Sequence, residues 1–183
     1  MYFSSSFFAF VFVYTSEGNF MKVSYVTAKK FLQGDEEAIG EVYRSYRSLL
    51  YFIIASYLKS KDDCEDIYQE TFLAILKNRS SLKEPSSLHR YLCETAKNKA
   101  IDFARKQSGI ESEELFEEEI AAGKETRIDE FLPSDLTYQE KQVVGYRILF
   151  GLSFKDISEL LNIPIPTLKS RFARAKEKIK GGQ

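Results

Sequence analysis

The 183-residue chain has no tryptophan, one histidine, two cysteines and four prolines. Cys64 and Cys93 lie inside apolar-periodic stretches rather than at framework spacings, which argues against a disulfide scaffold and for reduced thiols in a cytoplasmic setting. His89 and Cys93 stand four apart on one helical pattern, but Cys64 is the only other Cys or His, so a four-ligand structural zinc cannot be assembled. Both are read as packing residues, and no metal is expected. There is no Gly-rich phosphate loop and no nucleophile elbow, so nothing supports an enzyme, and no catalytic residue, cofactor or small-molecule substrate is expected.

Long hydrophobic runs are missing as well. The most apolar stretch, Phe7 to Tyr14, is eight residues long with no Lys or Arg before it, too short to span a bilayer and without the basic segment of a signal peptide. No membrane insertion is expected. Met21 follows directly and MKVSYV makes an ordinary protein start, so residues 1–20 are read as a non-native or disordered extension; a short membrane-surface anchor is the competing reading.

What remains is a hydrophobic content of 44%, enough for real cores in one medium domain or two small ones. The formal net charge of −1 conceals segregation: residues 22–107 carry a net +3, residues 108–131 a net −7 and residues 132–183 a net +4. Two mildly basic blocks around an acidic spacer suit two modules that touch a polyanion, although surface charges can also cluster by chance.

Helical periodicity dominates, and no useful strand pattern appears beyond the N-terminal oddity. Asp35 caps a helix with apolar positions from Ile39 to Tyr57, a second runs from Ser60 to Lys77, and a third, capped by Ser86 or Ser87 after Pro85, runs from Leu88 to Lys106. ESEELFEEE then reads as linker. Beyond Pro133, Thr137 with Glu140 and Ser153 with Asp156 open two helices, the first ending before Gly151, and a last helix spans Thr167 to Lys180. The fold is expected to be all-α, with two small helical domains (22–107 and 132–183) joined by an acidic linker (108–131), the second containing a helix-turn-helix.

In that helix-turn-helix, Ile157, Leu160, Leu161 and Ile163 face inward and Asn162 supplies a left-handed turn residue. Leu168, Phe172, Ala175 and Ile179 form the buried stripe of the last helix. Thr167, Ser170, Arg171 and Arg174 then share an exposed face, with hydroxyls and guanidinium forks suited to base edges. Lys169, Lys176 and Lys180 lie on a flank where they can meet phosphates. In the first domain, Cys64, Ile67, Tyr68, Thr71, Phe72 and Ile75 form the core side of DCEDIYQETFLAIL, and Asp66, Gln69, Glu70 and Leu73 the opposite side. An acidic face is unsuited to DNA, and its one leucine hints at a protein partner, though a solvated face with one exposed leucine would look the same.

EDIYQETFLAIL closely resembles the polymerase-binding segment of the extracytoplasmic-function (ECF) group of bacterial sigma factors. SSLHRYLCETAKNKAIDFARK resembles that group's promoter-melting and minus-10-reading helix, and the stretch from LTYQEKQVV to RFARAKEKI its minus-35-reading domain. The resemblance runs in order from about Val26 to Lys180. It implies an alternative sigma factor that binds core RNA polymerase and directs promoter-specific initiation, with region 2 at 22–107 and region 4 at 132–183. It assigns Asp66, Gln69, Glu70 and Leu73 to core polymerase, Arg90, Lys97, Asn98 and Arg105 to minus-10 DNA, and Thr167, Lys169, Ser170, Arg171 and Arg174 to minus-35 DNA. The loop from Asn78 to Ser87 would hold an extruded base. An anti-sigma factor is the further partner implied. Tyr91 stands where the group usually has Trp, and Asn162 and Pro166 replace common glycines, so promoter preference does not transfer. The rival readings are a two-domain helix-turn-helix transcriptional regulator that acts without entering polymerase, and a helical adaptor that binds only protein.

Overall fold

The structure, a computed structural model, describes residues 22–109, 126–130 and 132–181. The expectations for residues 1–20, and for 110–125 and 131 of the linker, lie outside the described residues. Those described are helical with connecting turns and divide into two units after Gly109.

The first unit starts with a helix that the sequence reading did not identify, α1 (Tyr25–Gln33). The Ser24 side chain accepts the Thr27 N–H, and Gly34, at φ 87°, ends the helix by returning its N–H to the carbonyls of Lys30 and Phe31. Only Ala28 and Phe31 of α1 are buried, so its amphipathic signal is short. α2 (Glu36–Ala55) is capped by Asp35 as expected, and its run from Leu49 to Ala55 is buried on every side. That burial places the C-terminal half of α2 at the centre of the unit. Ser60 caps α3 (Lys61–Asn78), whose buried residues are Cys64, Ile67, Tyr68, Thr71, Phe72 and Ile75.

Two 3-10 turns, Arg79–Ser81 and Pro85–Ser87, lead into α4 (Leu88–Ser108), which ends at Gly109 with φ 72°. Ser87 does not cap α4 through its side chain. The turn before it is already helix-like, with Ser87 at φ −82° and ψ −8°, whereas a side-chain cap works from extended backbone. α2 packs against α1, α3 and α4, and α3 also packs against α4.

In the second unit, Thr137 and Glu140 form both bonds of a capping box at the start of α5 (Tyr138–Val144). The expected helix up to Gly151 does not continue as α-helix: Gly145–Leu149 forms a π turn, which buries Gly145, Tyr146 and Leu149. Ser153 and Asp156 form the second capping box, opening α6 (Phe154–Leu161). Asn162, at φ 53°, is the one non-glycine residue with positive φ among those described. α7 (Ile165–Gly181) starts two residues before the expected Thr167, with Pro166 tolerated in its first turn. α5 and α6 both pack against α7.

Residues 126–130 fall in the stretch read as linker, yet they pack against α5. Arg127–Glu130 is a 3-10 turn in which Ile128 is fully buried and Asp129 lies 2.6 Å from the Nζ of the buried Lys141. One isoleucine among acids leaves no periodic signal.

Candidate functional site

Helix geometry turns the buried stripe of α3 inward and leaves Asp66, Gln69, Glu70 and Leu73 together outside. Leu73 is 66% exposed, the most open large apolar side chain among those described. Glu70 reaches Lys99 of α4 at 3.5 Å, an exposed pair that adds little stability but ties the edge of this acidic face to the next helix.

On α4, Arg90, Lys97, Asn98 and Arg105 share a face by spacing; Arg90 and Asn98 are exposed, Lys97 and Arg105 half-buried. Arg90 lies 3.6 Å from Glu94 one turn on, so part of its charge is already answered. The connection before α4 presents to solvent Ser80 and Ser81 of its first 3-10 turn and, between the two turns, Lys83 and Glu84.

On α7, Leu168 and Ala175 are fully buried, while Thr167, Lys169, Ser170 and Arg174 are exposed and Arg171 half-buried. Burial, with Arg174 beside it, lowers the pKa of Arg171; a guanidinium so placed still keeps its proton. The Arg174 Nη1 is 3.4 Å from the Ser170 hydroxyl. Behind this face lies a residue that the sequence reading used only as a cap. The Glu140 carboxylate, 4% exposed, accepts from Lys178 Nζ at 2.7 Å and lies 3.8 Å from the Arg174 Nε. Burial alone would raise the Glu140 pKa, but hydrogen bonds from Lys178 and the Thr137 N–H, with the Lys178 charge, hold it below the usual carboxylate value. Lys178 also approaches the Asp135 carbonyl at 3.3 Å. The i, i+4 spacing of Arg174 and Lys178 was visible in the sequence, but their shared anion on α5 was not. Lys176, from the flank assigned to phosphate, lies 5.9 Å over the Phe172 ring.

Among the described residues, no group of three or more His, Cys, Asp or Glu could hold a metal ion, and no helix is long and apolar enough to cross a membrane.

Residues 42–110 match the family Sigma-70 region 2, and residues 134–179 match Sigma-70, region 4. RNA polymerase sigma factor SigV of Bacillus subtilis is 30% identical over 131 residues, which cover 68% of this chain and 78% of that protein. The chain belongs to the ECF sigma factors. Two further relatives match over greater lengths. ECF RNA polymerase sigma factor SigW of Bacillus subtilis is 26% identical over 83% of this chain and 92% of its own. The ECF RNA polymerase sigma-E factor of Haemophilus influenzae is 26% identical over 80% and 88%. The solved structure of CnrH in complex with the cytosolic domain of CnrY has the same fold, with a TM-score of 0.58 at 18% identity over 86% of this chain and 94% of that one. This sigma factor is an alternative one that directs transcription initiation. Its region 2 match begins within α2, leaving α1 outside the matched segment, and its region 4 match runs from the turn before α5 into α7.

Proposed function

We propose that the sigma factor divides its task among three faces. Asp66, Gln69, Glu70 and Leu73 on α3 bind core RNA polymerase; Arg90, Lys97, Asn98 and Arg105 on α4, with the loop from Asn78 to Ser87, engage minus-10 DNA; Thr167, Lys169, Ser170, Arg171 and Arg174 on α7 engage minus-35 DNA. The observation that carries this is the contrast between the exposed faces of these helices. α3 exposes acids around an uncovered leucine, a surface for protein, whereas α4 and α7 expose cations and amide or hydroxyl groups, surfaces for a polyanion with readable edges. Such a protein works in the cytoplasm with polymerase. An anti-sigma factor completes the set of partners; CnrH, of the same fold, was solved in complex with the cytosolic domain of CnrY.

Transcription by core polymerase on the host's genomic DNA, with and without the protein, tests the reading. Asp66→Lys with Glu70→Lys is expected to abolish co-purification with core polymerase while circular dichroism stays helical, because both side chains are exposed. Retention of polymerase binding by that variant would remove the exposed face of α3 from the polymerase-binding surface.

On α7 the expected outcomes separate reading from attraction. Arg174→Ala should cost about 1–3 kcal/mol at the preferred minus-35 element and little at scrambled ones, the size of one lost base contact. Lys176→Ala should weaken matched and scrambled elements by similar factors, since a phosphate contact carries no sequence information. Promoter competition in the complete polymerase complex checks both, and equal weakening of both elements by Arg174→Ala would remove that residue from the reading face.

A further inference from the structure

The loop from Asn78 to Ser87 is short of regular structure, yet both of its 3-10 turns rest on α1. At the first turn the contact centres on Arg79. Its main chain closes the turn by accepting the Leu82 N–H at 3.2 Å, while its Nη1 reaches back to the Leu76 carbonyl at 2.6 Å, one of the acceptors that the end of α3 leaves open. The other end of the guanidinium lies against Gly34. A Cβ at position 34 would stand 2.8 Å from Arg79 Nη2 and 3.5 Å from Nε, closer than the side chain could remain. Gly34 therefore does two things: it takes the left-handed conformation that ends α1, and it leaves the space that Arg79 fills. The Nε of Arg79 is buried without a hydrogen-bond partner, a cost that marks the placement as imposed by its surroundings.

We propose that Arg79 is a positioning residue for minus-10 recognition, wedged between the glycine end of α1 and the last turn of α3 so that the loop after it keeps one shape. The inference rests on the reading that this loop receives an extruded base. A pocket for a flipped base gains selectivity from fixed walls, and a loop anchored only by its two ends would lose that fixity when one anchor goes. α1, which lies outside the matched region 2 segment, thereby becomes part of the promoter-reading apparatus.

The test uses the full chain with core polymerase, transcribing a promoter pool randomised at the minus-10 element and, separately, one randomised at the minus-35 element. Arg79→Ala is expected to flatten minus-10 preference about tenfold, the weight of roughly one base position, and to leave minus-35 preference unchanged. Gly34→Asn should flatten minus-10 preference as well: Asn tolerates the left-handed backbone, so its main effect is to push Arg79 aside. The double variant should be no flatter than Arg79→Ala alone, because both changes remove the same wedge. A third variant, with Lys83 and Glu84 replaced by Gly, tests the loop itself. If it changes minus-10 preference while Arg79→Ala and Gly34→Asn do not, the wedge is overturned and the loop reading stands. If none of the variants changes that preference, the loop reading falls and the inference with it. If Arg79→Ala lowers minus-10 and minus-35 preference alike, or lowers output with preference intact, the residue serves stability alone and the inference is overturned.

Discussion

Glu140→Gln is expected to lower the stability of the second unit by about 2–4 kcal/mol and to blunt minus-35 discrimination together with it. The substitution keeps an oxygen for the Thr137 N–H and so preserves much of the cap, but it removes the anion that meets Lys178 and faces Arg174. Breaking a buried pair costs about 3–5 kcal/mol when the surviving charge is trapped; here Lys178 keeps partial access to water, which lowers the figure. The pH dependence gives the sign. The folded pKa of Glu140 lies below its ordinary value, so its contribution is fully present above the unfolded pKa of about 4.3 and is lost as pH falls through the folded value. Denaturant titrations of the wild type and the variant should therefore differ by a constant amount above about pH 5 and converge in stronger acid. A gap that persists undiminished to pH 2 would show that the carboxylate charge is not what holds α5 to α7.

Phe31→Ala is expected to cost about 3–5 kcal/mol, more than any surface change considered above. Phe31 is fully buried and is the one large side chain that α1 contributes to the core. Its loss leaves a cavity under a nine-residue helix with little propensity to stand alone. Chemical denaturation followed by far-ultraviolet circular dichroism checks the magnitude. A cost below 1 kcal/mol would mean that α1 is only loosely seated, and the anchoring of the loop at Arg79 would weaken with it.

α3 and the helix-turn-helix were legible because their patterns repeat over several turns. The six residues assigned to the inner side of α3 are its buried set, and both capping boxes form between the residue pairs that announced them. Short or non-periodic elements were not legible. α1 offers two buried positions in nine residues, and the π turn at Gly145–Leu149 adds a register change that helical counting cannot register. Ile128 lies in a run whose composition says linker, and only contact with α5 makes it core. The candidate site divides in the same way. Faces on single helices follow from spacing, so the outward faces of α3, α4 and α7 could be named in advance, although Lys97, Arg105 and Arg171 on them are half-buried. Contacts between elements do not follow from it, so the Glu140 anchor beneath Arg174 and Lys178 and the Arg79 wedge beside Gly34 emerged only from the packed structure.

The internal pairing of Lys141 with Asp129 and of Lys178 with Glu140 also changes what DNA meets in the second unit. A cation already neutralised by a carboxylate of its own chain brings little net charge to a phosphate, so it releases few of the counterions condensed on a duplex. The effective polyelectrolyte valence of this unit is thus smaller than its count of lysines and arginines. On the reading proposed for α7, the affinity of this unit for arbitrary DNA therefore falls less steeply with salt than its count of cations implies, and the outward-facing groups of α7 take a larger share in choosing where the polymerase binds.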